Sequence, residues 1–374
     1  MGETPTHHAR GHASGNGGGN GCGNGRTGDA GGASSLASAL EPVLRKVCQD
    51  RLSPVEWFRS SWQAGGAATG FATFRVEGAE PVPVVVKLPV GPAEFRWTVA
   101  LGGLPHAAEQ LGDGPLVDGE MCEVSPGYAC AMGPTPRVFA AGTVIGGYDL
   151  AWLVVERLHG TPVSGSMSRA SVESMLRAAA DWYARAARLR ELDASRGVKT
   201  EDWEKLLAKA RESIRTHGMA DQQHWNHLVH DVQRAVPTLL ARWNARPINT
   251  WCHGDLHPGN AMLRSGIGGQ GSGGCVLIDL ALVHPGHWVE DAVYLERLHW
   301  GRSEVLDGVK PVNFLARACR DAGLSTSEDY TMLANVRRVL MAATAPAFLA
   351  REGHPKYLKA AREMLERCLP LAVR

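Results

Sequence analysis

His253-Gly254-Asp255-Leu256-His257-Pro258-Gly259-Asn260 is the stretch that decides the reading, together with Val276-Leu277-Ile278-Asp279 downstream of a glycine-rich loop. Asp255 and Asn260 stand five residues apart on one tight loop. Asp279 ends an apolar run and is expected to project into an adjacent cleft. Phosphoryl transfer needs a carboxylate beside the attacking hydroxyl and oxygen ligands for Mg²⁺, commonly a carboxylate and an amide. Asp255, Asn260 and Asp279 supply that set.

Working outward, the stretch sits on a β-like island inside helical sequence. Thr250–Cys252, Ala261–Arg264 and Cys275–Asp279 read as short strands, and Ser265–Gly274 as a flexible hairpin tip. Ser168–Leu192, Glu201–Thr216 and Gln222–Asn244 carry helical texture, as does the chain from Glu290 onward. Upstream the pattern turns to strands: Phe71–Val76, Val82–Leu88, Arg137–Ile145 and Ala151–Leu158, with turns at Gly78 and Gly146-Gly147. Leu36, Leu40, Val43, Leu44 and Val47 form a helical stripe before them. Lys87 ends the apolar run Val84-Val85-Val86 and is the only lysine between Lys46 and Lys199.

The residues His253–Asn260 with Ile278-Asp279 resemble the catalytic loop of the aminoglycoside phosphotransferase and choline kinase superfamily. The likeness extends over roughly residues 55 to 345. It implies an α+β, protein-kinase-like fold of two lobes: a small antiparallel β-rich N-lobe over 36–160 and a larger, mostly helical C-lobe over 161–374. The kinase loop HRDxxxxN has the same Asp-to-Asn step, with Gly254 here in place of Arg. Asp279-Leu280-Ala281 stands where kinases have DFG, so only the Asp carries over. The resemblance implies that Asp255 is the catalytic base and that Asn260 and Asp279 hold Mg²⁺. Lys87 would hold the α- and β-phosphates of ATP, and Gly65–Gly70 would cover them. The strand leading to Glu156 and Leu158 would present backbone groups to the adenine edge. Three acids could pair with Lys87. Glu94 follows the lysine too closely for a helix-borne partner. Glu120, 16 residues before Pro136, matches the family spacing, and Glu109 in Ala107–Leu111 is the next choice. Asp291 suits an acid that starts a helix and braces the loop. His253 reads as a structural partner of the loop, and His284 and His287 as loop residues despite metal-like spacing.

Composition narrows the alternatives. Thirty-nine Lys+Arg against 38 Asp+Glu gives +1 over 374 residues, so no bulk field favours nucleic acid or an anionic membrane. No apolar run approaches the roughly 18 residues of a spanning helix, and no apolar segment marks a secretory leader. Residues 1–35 hold 12 of the 44 glycines and almost nothing apolar, which predicts a disordered tail. Eight dispersed cysteines without a CxxC pair read as reduced thiols of a cytoplasmic protein.

The expected partner is a small-molecule hydroxyl acceptor. Glu290, Asp291 and Glu296 are acidic candidates for its pocket, offset by Arg297, His299 and Arg302; Trp288 and Trp300 could stack on a sugar or an ammonium group. Two other classes compete. A non-catalytic nucleotide-binding relative would bind ATP without transfer. A binuclear metallophosphoesterase is suggested by Gly254-Asp255-Leu256-His257, but no upstream Asp-x-His strand accompanies it.

Overall fold

Period-two alternation builds the smaller lobe of this computed structural model, which describes residues 32–58, 67–103, 133–192, 201–265, 272–327 and 329–374. The helix Gly32–Val47 (α1) comes first, then the strands Glu56–Phe58 (β1), Ala68–Phe74 (β2) and Val82–Leu88 (β3), the helix Pro92–Leu101 (α2), and the strands Val138–Gly142 (β4) and Trp152–Glu156 (β5). The strands pair antiparallel in the order β1-β2-β3-β5-β4. Along β3, Val84, Val86 and Leu88 are fully buried on one face, so Val85 and Lys87 belong to the other. The first face packs with Leu40 and Leu44 of α1, together with Trp152 and Val154. The second carries Val90, Phe95 and Val99 over Val138, Leu153 and Val155. Each such side chain gains roughly 1.5–3 kcal/mol on full burial, so the sheet is held from both sides.

The expected strands are present, with two differences. β2 begins at Ala68, so Gly70 is a strand residue opposite Trp57 and Val86. A Cβ there would meet Val55 Cγ1 and lie 3.1 Å from Trp57 Cε3, so close packing of β1 requires this glycine. Gly65 and Gly66 lie outside the described residues. β1 itself was not foreseen, because three half-buried residues carry too little alternation to read.

The larger lobe is mostly helical. Its helices are Arg169–Leu189 (α3), Trp203–Thr216 (α4), Gln222–Asn244 (α5), Val289–Leu298 (α6), Pro311–Asp321 (α7), Tyr330–Thr344 (α8), Leu349–Glu352 (α9) and Pro355–Val373 (α10). α3 starts with a capping box, in which the Ser168 and Ser171 hydroxyls accept from each other's backbone N–H at 3.2 and 2.9 Å. That satisfies N–H groups a helix start otherwise leaves open. Between α5 and α6 lie two small ladders. Thr250–Cys252 (β6) pairs with His284–Gly286 (β9), and Ala261–Ser265 (β7) pairs with Ser272–Leu277 (β8). β9 corrects the loop reading of His284: three residues around a proline give no recognisable strand pattern, yet β6 supplies a partner.

A single cluster runs through this lobe from Trp182 and Tyr183 of α3 to Trp243, Val289 and Leu340. Trp97 of α2 joins it, with ring centroids 5.7 Å from Trp182 and 5.0 Å from Trp251. The lobes therefore share apolar core at α2. Arg264 of β7 ties them again, donating to both Glu156 carboxylate oxygens at 2.9 and 2.7 Å and to the Gly133 and Thr135 carbonyls. The architecture is the two-lobed α+β arrangement. Among the described residues, no helix is long and apolar enough to cross a membrane, and Cys48, Cys252, Cys275, Cys319 and Cys368 are free and buried.

Candidate active site

β6 delivers the chain into a loop whose shape demands its glycine. Gly254 has φ +81°, and a Cβ on it would run into the Leu282 carbonyl and lie 3.0 Å from His284 Nδ1. An L-residue is strained at that φ, which accounts for Gly where the kinase motif has Arg. Asp291, 1% exposed in the first turn of α6, accepts from His253 N at 2.7 Å and Gly254 N at 2.9 Å. It also accepts from Tyr183 Oη at 2.7 Å. Burial and the Asp291 charge raise the Tyr183 pKa well above its ordinary value, so the phenol stays a donor. Asp291 thus braces the loop directly, where capping at the start of α6 had been its expected device.

His253 is fully buried. Its Nδ1 accepts from Asp255 N at 3.3 Å, so its Nε2–H donates to the Ile278 carbonyl at 3.2 Å. Burial lowers its pKa against the pull of nearby carboxylates, which suits a neutral structural imidazole. Ile278 N donates in turn to the Asn260 carbonyl at 2.9 Å. Loop and strand end are thereby locked together.

Asp255 accepts from Tyr294 Oη at 2.6 Å on one oxygen and from Asn260 Nδ2 at 3.1 Å on the other. His257 Nε2 stands 3.6 Å away. Burial works to raise the Asp255 pKa, but His257 and Tyr294, with His253 behind, outweigh it and hold the carboxyl below its ordinary value. The carboxylate is charged and oriented. Tyr294 escaped the sequence reading, although it lies three residues after Asp291 and so on the same helical face.

Asp279 sits at φ +64° between Ile278 and a short 3₁₀ turn, Leu280–Leu282. Asp tolerates this left-handed conformation better than most residues. Its side chain has no hydrogen bond or ion pair among the described residues. Asn260 uses Nδ2 on the Asp255 carbonyl and carboxylate, which leaves Oδ1 as a free acceptor. A carboxylate and an amide oxygen are hard donors of the kind Mg²⁺ takes, so the residues fit that ion.

Lys87 Nζ meets Glu94 Oε1 at 2.6 Å. This corrects the dismissal of Glu94. α2 opens at Pro92, only four residues after β3 ends, so a glutamate in its first turn reaches back to the strand. Glu109 and Glu120 lie outside the described residues. Lys87, Glu94 and Asp279 line one cavity of about 300 Å³ with Val85, Leu153 and Ile278. Glu156 to Gly160 line its edge. The Glu156 N–H is spent on the Arg137 carbonyl at 2.7 Å and its side chain on Arg264. Glu156 is therefore a clasp between lobes, and its N–H is not available to a ligand. Arg264 had no signal in sequence, because its partners are more than a hundred residues away.

On the far side of Asp255 the expected acids are engaged. Glu290 accepts from Arg246 Nε at 3.1 Å, and Glu296 pairs with Arg338 at 2.8 and 2.9 Å. Trp288 is buried core against Tyr330, while Trp300 stacks on Tyr357.

No curated protein matches the chain in sequence. Among solved structures, the GDP complex of an aminoglycoside 2'-phosphotransferase IIIa variant has 12% identity over 88% of this chain and 96% of that one, with a TM-score of 0.46. Choline kinase from Cryptosporidium parvum has 9% identity over 90% and 93%, with a TM-score of 0.44. An aminoglycoside phosphotransferase from Streptomyces rimosus has 19% identity over 84% and 97%, with a TM-score of 0.36. The sequence profile of the phosphotransferase enzyme family matches residues 127–331. That span is more than half of the 374 residues and holds Asp255, Asn260, Asp279 and Asp291, and the chain accordingly belongs to the phosphotransferase enzyme family.

Proposed function

We propose that this protein is an ATP-dependent phosphotransferase of the cytoplasm that moves the γ-phosphoryl group onto a hydroxyl of a small molecule, such as an amino sugar or amino alcohol. One observation carries the reading. Lys87 and Asp279 share a cavity, and the Ile278–Asn260 and Asn260–Asp255 hydrogen bonds couple that cavity to a charged carboxylate on the adjoining loop.

In this reading Lys87, oriented by Glu94, holds the α- and β-phosphates. Glu156 to Gly160, with Leu158 among them, border the adenine. Asp255 positions the acceptor hydroxyl and takes its proton on a carboxylate oxygen as the acceptor oxygen bonds to the γ-phosphorus and the bond from that phosphorus to the bridging oxygen breaks, releasing ADP. Tyr294 and Asn260 keep that carboxylate in one rotamer, so little reorganisation is left for the reaction. Mg²⁺, which supplies Lewis-acid neutralisation of phosphate charge when bound, would be held by Asn260 and Asp279.

The test is ADP release by the purified full chain with ATP and Mg²⁺, against a panel of amino sugars, amino alcohols and neutral sugars, with Asp255→Ala alongside. Release stimulated by one acceptor class and lost in the variant is the expected result. Unchanged turnover in Asp255→Ala would overturn the role of Asp255. ATP binding with no acceptor-dependent release would favour the non-catalytic relative.

A further inference from the structure

Directly behind the loop lies a cluster that phosphoryl transfer does not use. Cys252 Sγ, a nitrogen of His284 and a carboxylate oxygen of Glu290 all lie within 4.8 Å of one another. They come from β6, β9 and α6. We propose that Cys252, His284 and Glu290 form a zinc site, its fourth position left to solvent, that pins these three elements beneath the Asp255 loop.

Four features of the cluster support it. First, His284 Nε2 and Glu290 Oε2 stand 3.6 Å apart. That is too long for a hydrogen bond, yet close to the edge of a tetrahedron whose ligands lie at about 2.0–2.2 Å from zinc. Second, His284 Nδ1 is 2.9 Å from the Leu282 carbonyl. A donated Nδ1–H fixes the tautomer with the Nε2 lone pair facing the cluster, the second-sphere arrangement of metal-bound histidines. Third, the other Glu290 oxygen accepts from Arg246 Nε at 3.1 Å and His287 N at 3.0 Å, so the carboxylate is aimed. Fourth, a Cβ on Gly286 would fall 2.8 Å from Cys252 Sγ and 2.7 Å from Glu290 Oε1. The backbone at Gly286 therefore leaves room for Cys252 Sγ beside the Glu290 oxygen that Arg246 and His287 hold, so thiol and carboxylate can stand side by side.

Cys252 is fully buried, and among the described residues its thiol has one hydrogen-bond contact, the Thr250 carbonyl at 4.0 Å. A thiolate, an imidazole and a carboxylate together suit zinc better than Mg²⁺ or Ca²⁺. The thiol gives its proton to solvent as the sulfur–zinc bond forms. The His284 side chain is 25% exposed, which gives the ion a way in. Cys252 precedes His253 and Glu290 precedes Asp291, so the ion would stiffen both ends of the loop's brace.

The test uses the full chain purified without chelator. Elemental analysis is expected to find about one zinc per chain. Replacement by Co²⁺ should give a thiolate-to-cobalt charge-transfer band, absent from Cys252→Ser. The band excludes binding by the exposed histidines of α5, which have no thiolate. His284→Ala, at a partly exposed position, should retain the ion at least tenfold more weakly while its circular dichroism is unchanged. A chain that holds no zinc and shows no band with added Co²⁺ would overturn the proposal and leave His284 and Glu290 as a plain ion pair. So would a His284→Ala variant that binds as tightly as the parent.

Discussion

The two walls of the candidate site are built on different principles. The loop wall is over-determined: three buried donors converge on Asp291, and His253 bridges Asp255 N to the Ile278 carbonyl. Among the described residues, the opposite wall hangs on the contact of Lys87 with Glu94, the two side chains being 26% and 12% exposed. Removing a partner from a buried network leaves donors unsatisfied, whereas a partly exposed ion pair beside an open cavity keeps some access to water and costs less to break. Rigid placement is thus concentrated where, in the proposed reaction, a proton would be taken at a defined point. The lysine, which would neutralise phosphate charge, needs only approximate placement.

This contrast can be broken experimentally. The largest effect is expected from Asp255→Asn, which removes the charge but keeps the shape. Acceptor-dependent ADP release should fall by about 10²–10⁴-fold, with unfolding in denaturant shifted little. Asp291→Ala should instead cost stability, about 3–5 kcal/mol in denaturant titration, because two backbone N–H groups and the Tyr183 hydroxyl lose their acceptor at roughly 1–3 kcal/mol each with partial relaxation. A loss near zero would mean the brace is not what holds the loop. Arg264→Met should fall between, about 1–3 kcal/mol, since it strands the Glu156 carboxylate and two carbonyls at the lobe junction. Glu94→Gln is expected to be the mildest. Its stability should stay within about 1 kcal/mol of the parent, while the KM for ATP rises as Lys87 loses its guide. An equal loss of stability in Glu94→Gln and Asp291→Ala would erase the distinction between the walls.

What could be read in advance follows the range of the interactions involved. The strand Val82–Leu88 and the helix Gln222–Asn244 were legible because their periodicity is local. β1 and β9 were not, since three-residue strands exist only by virtue of the partner they pair with. The same divide runs through the site. Asp255, Asn260 and Asp279 announce themselves by residue type and spacing. Glu94 was dismissed because sequence distance was taken for spatial distance, and the immediate start of α2 makes the short step sufficient.

The two-lobed α+β class, the family and the residue types of the loop are written in local sequence, because patterns of period two and near four and a short motif lie within a few residues of each other. Only the tertiary structure decided which acid faces Lys87, that Tyr294 grips Asp255, that Glu156 is claimed by Arg264, and that Glu290, Asp291 and Glu296 are committed to internal partners. Those choices join residues from separate elements, up to 108 positions apart for Glu156 and Arg264. Burial then sets their energies, because only a group removed from water must find its partner within the fold.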